Sequence, residues 1–186
     1  QVLTGHKVYN DELVREGGAP LTLSAYLSSG HLVSSIFENW ESEFLQMWAY
    51  VMLTAYFYQR GSPESRDPDK DEIRPGEQPG LQRTLLQKLY AHSLGLALLA
   101  LFAVSFVLHW INSARDAGEN AVAKGLPVPT LVDHIGSAQL WFESFQNWQS
   151  EFMSTAVLVV LGIYLREKRS PESKAVGHPN WKTGIE

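Results

Sequence analysis

Two carboxylates stand in copies of one uncommon motif. Phe37, Asn39, Trp40, Ser42, Glu43 and Phe44 recur, in the same order and spacing, as Phe145, Asn147, Trp148, Ser150, Glu151 and Phe152. On a helix, Asn39, Glu43 and Gln46 fall at i, i+4 and i+7, and Asn147, Glu151 and Ser154 occupy the matching face. Two such helices can bring paired carboxylates, amides and hydroxyls together, a set able to hold a cation, relay a proton or receive a polar ligand. The same residues also have a plainer use. Glutamates can sit at headgroup level, the aromatic face of Phe37, Trp40 and Phe44 with Phe145, Trp148 and Phe152 can form an interfacial belt, and the amides can join helices. Glu38 and Glu41 become Gln146 and Gln149 in the second copy, so the repeated geometry does not require those charges.

His31, His92, His109 and His134 are scattered, with no Glu-x-x-His or His-x-x-x-His pair suited to a metal. His92 and His109 flank the most apolar stretch, where either imidazole could ligate haem or a chlorophyll-type pigment, although an interfacial histidine is the commoner role. No cofactor is predicted otherwise. The absence of cysteine excludes thiolate metal sites and cysteine nucleophiles. No phosphate-binding loop, nucleophile elbow or zincin motif occurs, so the expected function is non-enzymatic. A net charge of −5 leaves no electrostatic footprint for nucleic acid.

These residues need long apolar helices to hold them. Leu94 to Ile111 forms a block of about 18 residues with His109 as its lone ionisable side chain, long enough to cross a bilayer. Phe44–Tyr58 and Phe152–Leu165 are shorter, but they are copies. Placing residue n over n+108 aligns 20–66 with 128–174 without a gap, and about 17 positions are identical, a duplication well above chance. The shared segment ends on Ser62-Pro63-Glu64-Ser65 and Ser170-Pro171-Glu172-Ser173, each read as a helix start with a serine cap and proline in the first turn. Basic residues follow the two short blocks: Arg60, Arg66, Lys70 and Arg74, then Arg166, Lys168, Arg169 and Lys174. This bias places those segments on the cytoplasmic side.

The expected fold is an all-α integral membrane protein of two tandem, parallel helix-loop-helix repeats, with the first helix of the first repeat missing from this chain. Residues 1–66 form the first repeat, an extracytoplasmic loop plus a transmembrane helix at about 33–58. Residues 67–80 form a cytoplasmic linker rich in proline, glycine and charge. Residues 81–174 form the second repeat, with transmembrane helices at about 91–111 and 141–165, and 175–186 form a cytoplasmic tail. Leu81, Leu85, Leu86 and Leu89 repeat at helical spacing and suggest an interfacial turn before the central span.

The Phe37–Met47 motif, the Arg60–Ser65 segment after it and their second copies resemble a bacterial family of small multi-pass integral membrane proteins of unknown function, over nearly the whole chain. The resemblance implies a leading hydrophobic helix, absent here, and brings no activity, cofactor or catalytic residue. The expected location is the bacterial cytoplasmic (inner) membrane. The expected role is an interaction or accessory subunit, with the lipid bilayer and other membrane subunits as partners. The alternatives are a small transporter or channel lined by Glu43 and Glu151, or a cofactor- or pigment-binding subunit.

Overall fold

The computed structural model describes residues 2–65, 67, 69, 84–170 and 172–184. Among them every regular element is helical: α1 (Val2–Arg15), α2 (Leu23–Leu27), α3 (Gly30–Tyr56), α4 (Leu85–Ala91), α5 (Ser93–Ala123), α6 (Leu131–Ile135) and α7 (Ala138–Tyr164). The all-α expectation therefore holds. Both boundaries of α2 and of α3 reappear 108 positions later as those of α6 and α7, and the ends of α1 and α5 stand at the same offset.

The helices are shared between two compact units: Gln1–Phe44 with Ala100–Trp148, and Leu45–Leu99 with Gln149–Glu186. In the first unit α1 ends in a Schellman turn, in which Gly17 takes φ +84° while Gly18 N donates to Leu13 O at 2.8 Å. The C-terminus of α5 ends the same way, with Gly125 at φ +64° and Leu126 N donating to Ala121 O at 2.8 Å. Asn10 then holds the chain beyond α1, because its amide both donates to Leu21 O (3.0 Å) and accepts from Leu21 N (2.8 Å). Thr22 caps α2, and Thr130 caps α6 in a reciprocal box with Asp133. Tyr9, Tyr26 and Leu32 form a small buried core. Gly30 permits the start of α3 to lie against α5: a Cβ there would come within 2.8 Å of Asp116 N and 2.9 Å of Asn112 O.

In the second unit Ser62-Pro63-Glu64-Ser65 forms a turn, as do Glu172 and Ser173 of the second copy, which corrects the expected helix start. Ser65 Oγ accepts from Gln59 N (2.8 Å), and Ser173 Oγ accepts from Glu167 N (2.9 Å). The serine hydroxyls bind backbone amides freed where α3 and α7 end, so they close one helix rather than open another. Residues 174–184 are fastened to the first of these turns. Lys174 is fully buried, and its ammonium donates to Gly61 O (2.6 Å), Asn180 O (2.9 Å) and Lys182 O (3.1 Å). Gly184 N donates to Ser62 O at 3.0 Å.

Two further expectations change. Residues 2–15, read as loop, are helical, and α5 runs to Ala123, well past the apolar block. α5 is the one helix among the described residues long and apolar enough to cross a membrane. Only 17% of its most apolar window is buried. α3 and α7, at 27 residues each, are about 40 Å long at 1.5 Å per residue, but their N-terminal halves are polar. The proposed linker lies almost wholly outside the described residues, as does Leu81. Leu85, Leu86 and Leu89 are exposed on α4, which Thr84 caps.

Candidate functional site: a buried carboxylate–imidazole–carboxylate chain

The most unusual chemistry in the first unit is centred on His109. Its ring is 0% exposed, within the most apolar helix, and both nitrogens face carboxylates: Nδ1 lies 2.8 Å from Glu41 Oε2 and Nε2 lies 3.2 Å from Glu143 Oε2. Glu41, from α3, is also 0% exposed, whereas Glu143, from α7, retains partial access. Desolvating three ionisable groups is expensive unless their polar atoms are satisfied, and here they are. Trp148 Nε1 donates to Glu41 Oε1 at 3.0 Å. Gln139 Nε2 donates to Glu143 Oε1 at 2.9 Å, and Ser113 Oγ donates to Glu143 Oε2 at 2.8 Å. Nearby, Asn147 donates to Glu38.

Hydrogen counting defines what this arrangement can do. Each nitrogen–carboxylate contact needs one hydrogen, so two protons are shared by Glu41, His109 and Glu143. Either both reside on an imidazolium, or one has moved to a carboxyl group. A proton delivered at Glu143 can thus leave at Glu41 with an exchange of imidazole tautomer, which is the elementary step of a relay. Ser113 extends the chain by one link. Its single hydrogen is used on Glu143, so the 2.9 Å contact with His134 requires His134 Nε2 to donate to the serine oxygen. His134 is buried in α6, and that burial holds its pKa below the usual histidine value.

The residues singled out from the sequence are distributed differently. Asn39, Ser42, Glu43 and Asn147 belong to the first unit, and Gln46, Ser150, Glu151 and Ser154 to the second. Glu43 is exposed, and Glu41, two positions earlier, takes the buried place. The two fall on different faces because two residues advance a helix by about 200°. Asn39, also exposed, donates to Ser35 O (2.6 Å), while buried Ser42 donates to Asn39 O (2.8 Å). Ser150 is exposed, and at Glu151 the backbone carbonyl is the group used, accepting from Gln46, Ser154 and Thr155. Gln46 also donates to Thr155.

The aromatic face is more coherent. Phe37 meets Trp40 edge-on at 5.4 Å, Phe145 meets Trp148 edge-on at 5.4 Å, and Trp40 meets Phe44 at 6.5 Å; Phe152 lines an apolar cavity of the second unit. Trp148 also serves the polar chain directly. His92 is exposed and caps α4. His109 does not fit an axial ligand, because neither nitrogen is free of a carboxylate. No group of three histidine or carboxylate side chains among the described residues could hold a metal ion.

No curated protein and no solved structure matches the chain. Residues 1–185 match the family described as a domain of unknown function, DUF6766, and the chain belongs to that family.

Proposed function

We propose that this is a multi-pass helical membrane protein in which Glu41, His109 and Glu143 take up and pass protons. The observation that carries the reading is His109, wholly buried in the most apolar helix with a carboxylate on each ring nitrogen. Ionisable groups in such a setting are costly and are found where ions or protons move. The exposure of Leu96, Leu101, Val104 and Val107 along α5 supports a lipid environment. The 108-residue offset of helix boundaries supports two tandem repeats, with α3 and α7 as further spans. The basic residues after α3 and α7, Arg60 and then Arg166, Lys168 and Arg169, support a cytoplasmic position for those ends in a bacterial inner membrane.

The test is proton flux into vesicles containing the purified chain and an enclosed pH-sensitive dye, driven by an imposed potential. The expected result is flux in the wild type that falls to that of protein-free vesicles in Glu41→Gln and His109→Gln. Wild-type vesicles no more permeable than empty ones would defeat the proposal. A second reading, an accessory subunit of a membrane complex, is supported by α4, whose Leu85, Leu86 and Tyr90 are more than 70% exposed. Co-migration with a larger complex after gentle detergent extraction would favour it.

A further inference from the structure

The two ends of the Glu41–His109–Glu143 chain differ in their access to water. The Glu143 side chain is 24% exposed and lines a cavity of about 270 Å³ in the first unit, whereas those of His109 and Glu41 are 0% exposed. The cavity wall is chiefly polar, with Glu12, His31, Asp116, Asn120 and Lys124 beside Glu143. Such a volume holds several waters, and the wall offers them hydrogen-bond partners. Water can therefore bring protons to the Glu143 carboxylate.

At the other end the hydrogen bonds stop. Glu41 Oε2 faces His109 Nδ1, Glu41 Oε1 accepts from Trp148 Nε1 at 3.0 Å, and among the described residues no further side chain bonds this carboxylate. An indole nitrogen donates and does not accept, so a proton that arrives at Glu41 has no onward acceptor. Phe145 and Phe102 hold the indole in place, meeting it edge-on at 5.4 and 6.2 Å. The branch through Ser113 to His134 leaves from Glu143, so it does not open the Glu41 end. On the proton-relay reading, on which this rests, we infer that the chain exchanges protons with water through Glu143 and its cavity, and that Trp148 is the positioning residue that closes the Glu41 end. A proton taken from water at Glu143 passes to His109 Nε2 while the Nδ1 proton passes to Glu41, which becomes the neutral acid. It returns by the same route unless the indole moves aside.

Access is read first, and without conduction. The full chain in detergent is coupled to glycinamide with a water-soluble carbodiimide, and peptide mass spectrometry gives the rate at each carboxyl group. The expected result is coupling at Glu143 at least tenfold faster than at Glu41, with the gap closing in Trp148→Phe. That variant keeps the ring stacking, removes the N–H and leaves space for about one water beside Glu41 Oε1. Proton flux into vesicles should then rise at least threefold in Trp148→Phe, the opposite of what losing a merely structural residue does. Flux no higher than wild type in the folded variant overturns the gate. Because the chain has no cysteine, Asn120→Cys tests the entrance: labelling it with (2-trimethylammonioethyl) methanethiosulfonate on both sides of the membrane should abolish its flux. Flux that survives complete labelling, or a thiol that never labels, overturns the entrance. Should Trp148→Phe fail to fold, the wild-type coupling rates decide, and similar rates at Glu41 and Glu143 overturn the inference. The expected coupling pattern in a protein that never conducts protons supports one-ended access and removes only the relay. Conduction with both carboxyl groups coupled equally removes only this inference.

Discussion

α3 and α7 have the same length and share Asn-Trp and Ser-Glu-Phe steps, yet they bury different polar groups. Leu32 and Leu140, 108 positions apart, are both fully enclosed, so the apolar frame is common to the two. Glu41 is enclosed on α3, whereas the matching Gln149 on α7 is exposed. Glu143 approaches His109 from α7, where α3 has Ser35. Trp40 is about half exposed and its counterpart Trp148 donates to Glu41, so one residue type has two roles according to whether a carboxylate faces it. The loop helices differ in the same way: Tyr26 packs against Tyr9 and His31, and His134 instead meets Ser113. Shared residues build the scaffold, and the positions where the copies diverge carry the ionisable chemistry.

The largest test of that contrast removes the imidazole. In His109→Leu, Glu41 and Glu143 lose their common partner inside the protein, and stranding a buried charge in this way costs about 3–5 kcal/mol. Thermal unfolding in detergent should show a pronounced loss of stability. A variant as stable as wild type would mean that the carboxylates are not held as charged partners of His109. A finer comparison sets Glu41→Gln against Glu43→Gln. The first weakens charge-assisted hydrogen bonds to His109 and Trp148 and should cost about 1.5–3 kcal/mol. The second alters an exposed side chain and should stay within about 0.5 kcal/mol. Equal effects would erase the distinction between the two faces of α3.

The helical class and the positions of α3 and α7 were legible because apolar periodicity and the duplicated motif mark them within a few residues. Hydropathy was a poorer guide to α5, since apolar character ends at Ile111 while the helix continues through Asn112–Ala123, a more polar stretch in which Ser113, Ala114 and Gly118 are buried. α1 escaped for the same reason, its composition being too polar to suggest a span. The site was half legible: Trp148, Asn147 and His109 stood out, but identity between the copies directed attention to Glu43 and Glu151. The signal for Glu41 was its face. Ser34, Glu38 and Glu41 fall at i, i+4 and i+7, and Ser34 and Glu41 are both buried. Charges that break a repeat are therefore as informative as those that obey it. The tie between α6 and α5 through Ser113 had no sequence signal, because it depends on contacts across about 20 residues of chain.

The smallest expected effect concerns the loop helices, where His134 stands in place of Tyr26. Burial lowers the folded-state pKa of His134 below 6.5, its ordinary value, and its Nε2–H is already committed to Ser113. As pH falls below about 6.5 the unfolded chain takes up a proton that the folded chain resists. Stability from this group is complete above that pH and is lost towards the folded-state pKa, with a limiting slope of about 1.4 kcal/mol per pH unit. Stability should accordingly decline between neutral pH and pH 5 more steeply in wild type than in His134→Gln, whose side chain can still donate to Ser113 but does not titrate. Unfolding midpoints of both proteins across that range measure the difference. Parallel curves would show that His134 is free to become protonated in place, and that the divergence between Tyr26 and His134 has no ionic consequence.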